Sequence, residues 1–355
     1  MAEFAARGLD HTDADSEPWL ERLAAEGQRL DDALRWFVMN GEAEPALRLA
    51  VALFPYWRDR GLLADGRRWL AEAMDAYEED APCLLRAQAL SAAGLLAFRQ
   101  GDDEQSAVLQ EQSLEEARTC GERLAEADAL LGLARVAFRA GEHHVVRGHC
   151  EAALTIAEEV GDLEARAAPL HLLAESARTQ GDYKRARELY GASLEVQRAL
   201  EDRRMESMEM HNLAYVDLHD GAFDLAANGF RDSMLIARRR GDIGQVAYCV
   251  LGLAVVVAEL GGWERAAELL GKADSLLERA GETLDPAEAA ERERIEAMTC
   301  EALGTEHAHE MMARGATLAL GETLTRSFRD VFTPGAASGV PDVSDAVDSV
   351  DAPNP

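Results

Sequence analysis

Aromatic residues make up only 6% of this 355-residue sequence, and Val, Ile and Tyr are scarce beside Ala and Leu. That balance works against a strand-rich core and favours closely packed helices. No stretch approaches the roughly 18 apolar residues of a membrane-spanning helix. The opening MAEFAARGLDHTDADSEPW lacks the apolar centre of a signal peptide. Five cysteines (Cys83, Cys120, Cys150, Cys249 and Cys300) lie far apart and never form a C-x-x-C pair. This argues against a disulfide framework or a structural zinc site and for a reducing compartment, so a cytoplasmic protein is expected. Lysine is nearly missing: Lys184 and Lys272 stand alone among arginines, a bias expected of a GC-rich, actinobacterial kind of bacterial genome.

Signatures of catalysis are missing as well. There is no H-E-x-x-H, no G-x-S-x-G and no glycine-rich dinucleotide fingerprint. Neither lysine follows a phosphate-binding glycine loop or precedes Ser or Thr, so no P-loop is present. His143, His144 and His149 share a helix without an i,i+4 pair among them, and His307 and His309 are equally poor candidates. No metal site and no cofactor are expected, and the chain reads as a non-enzyme.

What is present is charge of one sign. Lys and Arg total 36 against 66 Asp and Glu, a net charge of −30. Such a field repels nucleic acid and anionic membrane, so neither is an expected partner, although a local basic groove could still take an anion. The apolar fraction of 48% is ample for a continuous core.

Self-similarity then sets the architecture. Glycine-led pairs recur every 40 residues at Gly101-Asp102, Gly141-Glu142, Gly181-Asp182, Gly221-Ala222 and Gly261-Gly262. A second series falls halfway between, at Gly121, Gly161, Gly241 and Gly281, with Glu201-Asp202 in the remaining position. Glycine ends one helix in a left-handed residue, and the acid after it favours the start of the next. The pattern predicts A helices near 42–60, 82–100, 122–140, 162–180, 202–219 and 242–260. It predicts B helices near 62–79, 102–120, 142–160, 182–200, 222–240 and 262–280. Small residues recur at Gly94, Ala134, Ala174, Ala214 and Ala254, and large ones at Tyr190, Phe230 and Leu270. Small against large at fixed period is how stacked hairpins reach native packing density.

Segments 173–197 (LAESARTQGDYKRARELYGASLEVQ) and 253–277 (LAVVVAELGGWERAAELLGKADSLL) resemble the tetratricopeptide repeat (TPR). The period here is 40, longer than that family's usual one. The resemblance implies an all-α fold, an α-solenoid (right-handed superhelix) of TPR-like hairpins. Residues 19–74 and 303–328 further resemble the two ends of the helical-repeat sensor region of large ATP-binding bacterial regulators of the LuxR and SARP types. The solenoid is expected over 17–331, between a disordered N-terminal tail (1–16) and a disordered acidic C-terminal tail (332–355).

In tetratricopeptide repeats the A helices line the concave face, and the resemblance implies a binding groove there. Its residues in this sequence are Arg99, Arg135, Phe138, Arg139, His171, Glu175 and Arg178, continued by His211, Tyr215, His219 and Tyr248. His171 and His211 are expected as neighbours, ringed by an arginine strip and aromatic surface suited to an anionic, partly apolar ligand or an acidic peptide end. The competing reading pairs the arginines with acids such as Glu175 and Asp128, so that they only hold the repeats together. A binding protein with a small molecule or a peptide of a partner in its groove is the leading expectation. The alternatives are the sensor arm of a transcriptional regulator, working with a separate ATPase or DNA-binding protein, and an enzyme using His171, Glu175, His211 and Tyr215 as acid–base groups.

Overall fold

A computed structural model describes residues 20–77, 83–284 and 286–322. The tails expected at 1–16 and 332–355 lie outside the described residues, as does the last stretch of the expected solenoid. Among the described residues every regular element is helical. The chain divides into two compact units, Met1–Asp202 and Arg203–Pro355.

The first unit holds α1 (Gly27–Met39), α2 (Ala43–Asp59), α3 (Leu63–Asp75), α4 (Cys83–Arg99) and α5 (Asp103–Cys120). It continues with α6 (Arg123–Arg139), α7 (His143–Val160), α8 (Ala167–Thr179) and α9 (Tyr183–Ala199). From α2 onward these form antiparallel hairpins, with α2, α4, α6 and α8 as stacked A helices. The second unit holds α10 (Arg203–His219), α11 (Phe223–Arg240), α12 (Ile243–Glu259), α13 (Trp263–Ala280), α14 (Pro286–Leu303) and α15 (Thr305–Thr317). Both units are built as α-solenoids of helical hairpins.

The turns explain the even spacing. At Gly101 φ is 80°, and the other glycines of the 20-residue series match it. Asp102 N–H reaches back to the Ala97 carbonyl and Gly101 N–H to that of Phe98, the paired bonds of a Schellman ending. Asp102, Asp182 and Asp242 then cap the next helix by accepting from the backbone N–H three residues on. Glu201, with φ of 57°, is the one non-glycine residue in the left-handed region among the described residues. It sits where the other repeats carry glycine.

One helix departs from the periodic expectation. The A helix expected at 162–180 opens as a 3-10 turn, Glu164–Arg166, and becomes α-helical only at Ala167. Pro169 has no N–H to bond back to residue 165, so the first turn cannot form an unbroken α-helix from 162. Asp162 instead accepts from Ala165 N–H at 3.0 Å.

The small-residue positions are where helices meet. Ala134, Ala174, Ala214 and Ala254 are buried to within 1%. At Gly94 and Gly132 an added Cβ would overlap the side chain of Gln110, which is itself buried. The core of the first unit is rich in Leu and Trp around α1–α4 (Leu34, Leu53, Trp57, Trp69) and turns to alanine further on, as at Ala87, Ala117 and Ala125. The second unit has one large cluster, including Phe230, Met234, Val250, Leu251 and Leu270. There α15 closes against α13 backbone to backbone: a Cβ at Gly271 would overlap the Met312 carbonyl, and one at Gly315 the Glu268 carbonyl.

Cys150, Cys249 and Cys300 are free thiols.

Candidate functional site

In the first unit the groove arginines have three different fates. Arg99 donates to the Arg58 carbonyl at 3.1 Å, and Arg139 donates to the Phe98 carbonyl at 2.9 Å. Both acceptors lie at the C-terminal end of the preceding A helix, where carbonyls lack partners within the helix and the dipole favours a cation. Arg139 also meets Asp103 at 2.5 Å and lies 3.5 Å over the Phe98 ring. These two arginines therefore join one repeat to the next.

Arg178 is bound differently. It meets Glu175 at 2.7 Å, and Glu175 also accepts from the Tyr190 hydroxyl. Burial opposes the Glu175 charge, but Arg178, Tyr190 and His171 outweigh it and hold the carboxyl below its usual range. Burial and the adjacent carboxylate both push the Tyr190 hydroxyl well above its usual range. His171 is half-buried, edge-on to Tyr190 at 6.1 Å. The result is a closed polar network, satisfied except for the Arg178 Nε.

Arg135 has no such partner. It is half-buried and forms no hydrogen bond or ion pair within 4.0 Å among the described residues. Burial works against its charge, as do Arg58 and Arg99, and Asp128 favours it. Asp128 is exposed on the same helix. Desolvation pushes its carboxyl up to about 6, reinforced by Asp162 and Glu164 and opposed by Arg135. Phe138 is half-buried and edge-on to His143 at 6.2 Å.

One B-helix position separates Glu175 from Arg135. Gln110, Cys150, Tyr190, Phe230 and Leu270 recur every 40 residues, under Leu95, Arg135, Glu175, Tyr215 and Val255 of the A helices. Tyr190 is long enough to bond Glu175, whereas Cys150 is too short to offer Arg135 an acceptor. The Tyr190–Phe230–Leu270 series was visible in the sequence; extending it back by two periods to Cys150 and Gln110 would have found the contrast.

In the second unit the named residues are mostly core. His211 is buried, edge-on to Tyr215 at 5.0 Å, Phe230 at 5.4 Å and Tyr248 at 6.2 Å. Tyr215 is buried against Phe230 at 5.2 Å. Tyr248 donates to the Thr283 carbonyl at 3.4 Å, and His219 is exposed beside Tyr215. Cys249 Sγ lies 3.8 Å from His211 Nδ1 and donates to Ser233 at 3.3 Å. Burial pushes that thiol up to about 12, so it stays protonated and is no nucleophile. His171 belongs to the first unit and His211 to the second. No group of three or more His, Cys, Asp or Glu side chains able to hold a metal occurs among the described residues. Nor is any helix there long and apolar enough to cross a membrane.

Residues 122–199 match the family model described as tetratricopeptide repeat. Comparison with curated proteins gives no match. Among solved structures the chain is similar to aspartyl phosphate phosphatase F from Bacillus subtilis, at 12% identity and a TM-score of 0.59 over 85% of this chain and 75% of that one. It is also similar to a Rap protein complexed with competence and sporulation factor, at 15% identity and a TM-score of 0.53 over 87% and 99% of the two chains. A signal transduction ATPase with a tetratricopeptide repeat sensor, from Pyrococcus horikoshii, shares 15% identity and a TM-score of 0.55 over 87% of this chain and 48% of its own. At these identities the likeness is one of fold.

Proposed function

We propose, from the premise that the chain is a tetratricopeptide-repeat protein, that it is a regulatory binding protein whose A-helix face in the first unit takes a peptide segment of a partner or a small anionic molecule. Arg135 carries this reading. A half-buried guanidinium with five N–H donors and no protein acceptor is costly to keep, and a bound carboxylate or phosphate would satisfy it. The fold supports binding over catalysis, because solenoids of this kind present extended surfaces for partners. Of the four acid–base groups of the enzyme alternative, Glu175 is tied into a closed network, His211 and Tyr215 are packed in the core, and His171 is half-buried against Tyr190.

Native mass spectrometry of the protein isolated from its own host tests the reading. The expected result is a retained ligand or partner that Arg135→Gln loses while the helical content stays unchanged. Retention undiminished in that variant would refute the assignment. The single substitution is preferable to removing Arg135, Arg139 and Arg178 together, because Arg139 and Arg178 also hold structure.

A second reading, the sensor arm of a transcriptional regulator, draws on the resemblance of 19–74 and 303–328 to the ends of such sensor regions. The fold shared with a sensor-bearing ATPase is consistent with it. Co-purification with a separate ATP-binding or DNA-binding protein would support it, and recovery only as a lone species would count against it.

A further inference from the structure

We propose that the A-helix face of the first unit is a dipolar clamp for an extended protein segment that carries an acidic and a basic side chain with two residues between them. The acidic side chain seats on Arg135 and the basic one on Asp128. The proposal rests on the binding role assigned above and adds the chemistry of the ligand.

The two ends of the clamp lie on one helix face. Asp128 and Arg135 are seven residues apart on α6, two turns or about 10 Å along the axis at 1.5 Å per residue. Arg135 has no carboxylate bonded to it: burial disfavours its charge first, Asp128 favours it without reaching ion-pair distance, and Arg58 and Arg99 disfavour it further. Around Asp128 stand Asp162 and Glu164, close enough to disfavour its ionisation. Like charges have thus been gathered at both ends, and each end would gain from a ligand of opposite sign.

Neighbouring repeats show what the clamp is not. The residue equivalent to Arg135 is Leu95 in the preceding hairpin, which has no charge to offer. In the following one it is Glu175, already spoken for by Arg178 and Tyr190. Cys150, beneath Arg135, is a buried thiol whose titration is pushed up to about 12, so it supplies no anion.

Single-sign ligands fit poorly. A wholly acidic segment would meet Asp128, Asp162, Glu164 and a chain of net charge −30. A wholly basic one would meet Arg58, Arg99 and Arg135. A segment with both charges satisfies both ends. In polyproline II conformation the rise is about 3.1 Å per residue with three residues per turn, so side chains i and i+3 share a side about 9 Å apart. That matches the clamp and sets the spacing.

The test measures fluorescence anisotropy of the full chain with labelled synthetic decapeptides of Ala, Ser and Pro. Each carries one Lys and one Glu separated by zero to five residues, in both orders, and control peptides carry either charge alone. The expected result is an affinity maximum at two intervening residues, falling about tenfold when either charge is removed. Arg135→Gln should abolish dependence on Glu while keeping dependence on Lys, and Asp128→Asn should do the reverse. Dependence on Lys should also fade as pH drops through about 6 and Asp128 takes up a proton. Amide exchange locates the bound probe. Protection on 83–99, 123–139 and 167–179 with no dependence on charge or spacing would overturn the clamp and leave the binding face standing. Protection elsewhere, or no binding of any peptide at millimolar concentration, would overturn both.

Discussion

The same 40-residue repeat builds two different interiors. In the first unit one B-helix position holds Gln110, Cys150 and Tyr190; in the second it holds Phe230 and Leu270, both fully buried. Where that position is apolar, the A helix above it turns aromatic or aliphatic and seals, as Tyr215 does on Phe230. Over Cys150 and Tyr190 the A-helix face keeps the charged groups Arg135 and Glu175, whereas over polar Gln110 it carries Leu95. In the second unit burial serves stability; in the first, part of that stability is given up for unsatisfied chemistry.

Five substitutions would break or sharpen this contrast, and denaturant unfolding followed by amide exchange reads all of them unit by unit. The largest effect is expected from Phe230→Ala, a loss of about 3–5 kcal/mol in the second unit, against about 1 kcal/mol in the first for Cys150→Ala at the equivalent position. Equal losses would dissolve the contrast. Next, Gly271→Ala should cost about 2–3 kcal/mol, because its methyl group meets the backbone of α15 and not a movable side chain. A neutral outcome would mean that α15 is not held against α13. Glu201→Gly should stabilise by about 0.5–1 kcal/mol, since a left-handed non-glycine residue costs more than the chain entropy glycine adds.

The smallest effect is expected from Asp128→Asn, and its sign follows from linkage. The folded carboxyl titrates at about 6, above its unfolded value, so the folded state holds the proton more tightly. Stability therefore falls as pH rises from the unfolded pKa towards 6 and is level above that. Replacement by Asn should remove this fall and leave the protein slightly more stable at pH 7, with no difference below pH 4. The exposure of Asp128 keeps the effect small.

Helix boundaries were largely legible because one glycine turn repeats. The A helix expected at 82–100 is Cys83–Arg99, and the B helix expected at 142–160 is His143–Val160. The exception at 162–166 was written in Pro169, whose effect on the preceding turn is local and readable. The candidate site was legible only in outline. Position in the repeat puts Arg99, Arg135, Arg139 and Arg178 on one face, but it says nothing of what each side chain reaches. Arg99 and Arg139 end on backbone carbonyls, which have no identity in a sequence. The Tyr190–Glu175 bond depends on reach from a different helix. His211 and Tyr215 took groove positions by register and became core because Phe230 lies beneath them.

The arginines that end on backbone carbonyls have a consequence for how the stack comes apart. Arg99 anchors to the end of α2 and Arg139 to the end of α4, so each hairpin closes off the one before it. At the next equivalent position Thr179 turns back on its own helix, bonding the Glu175 and Ser176 carbonyls. Residues 43–139 are thus threaded by a one-way series of clasps that stops at α8. Unfolding should have a block length: the hairpins within the clasped run melt together, while the hairpin after it can open by itself. Such a joint lets the end of the unit loosen and re-form without disturbing the face that carries Arg135.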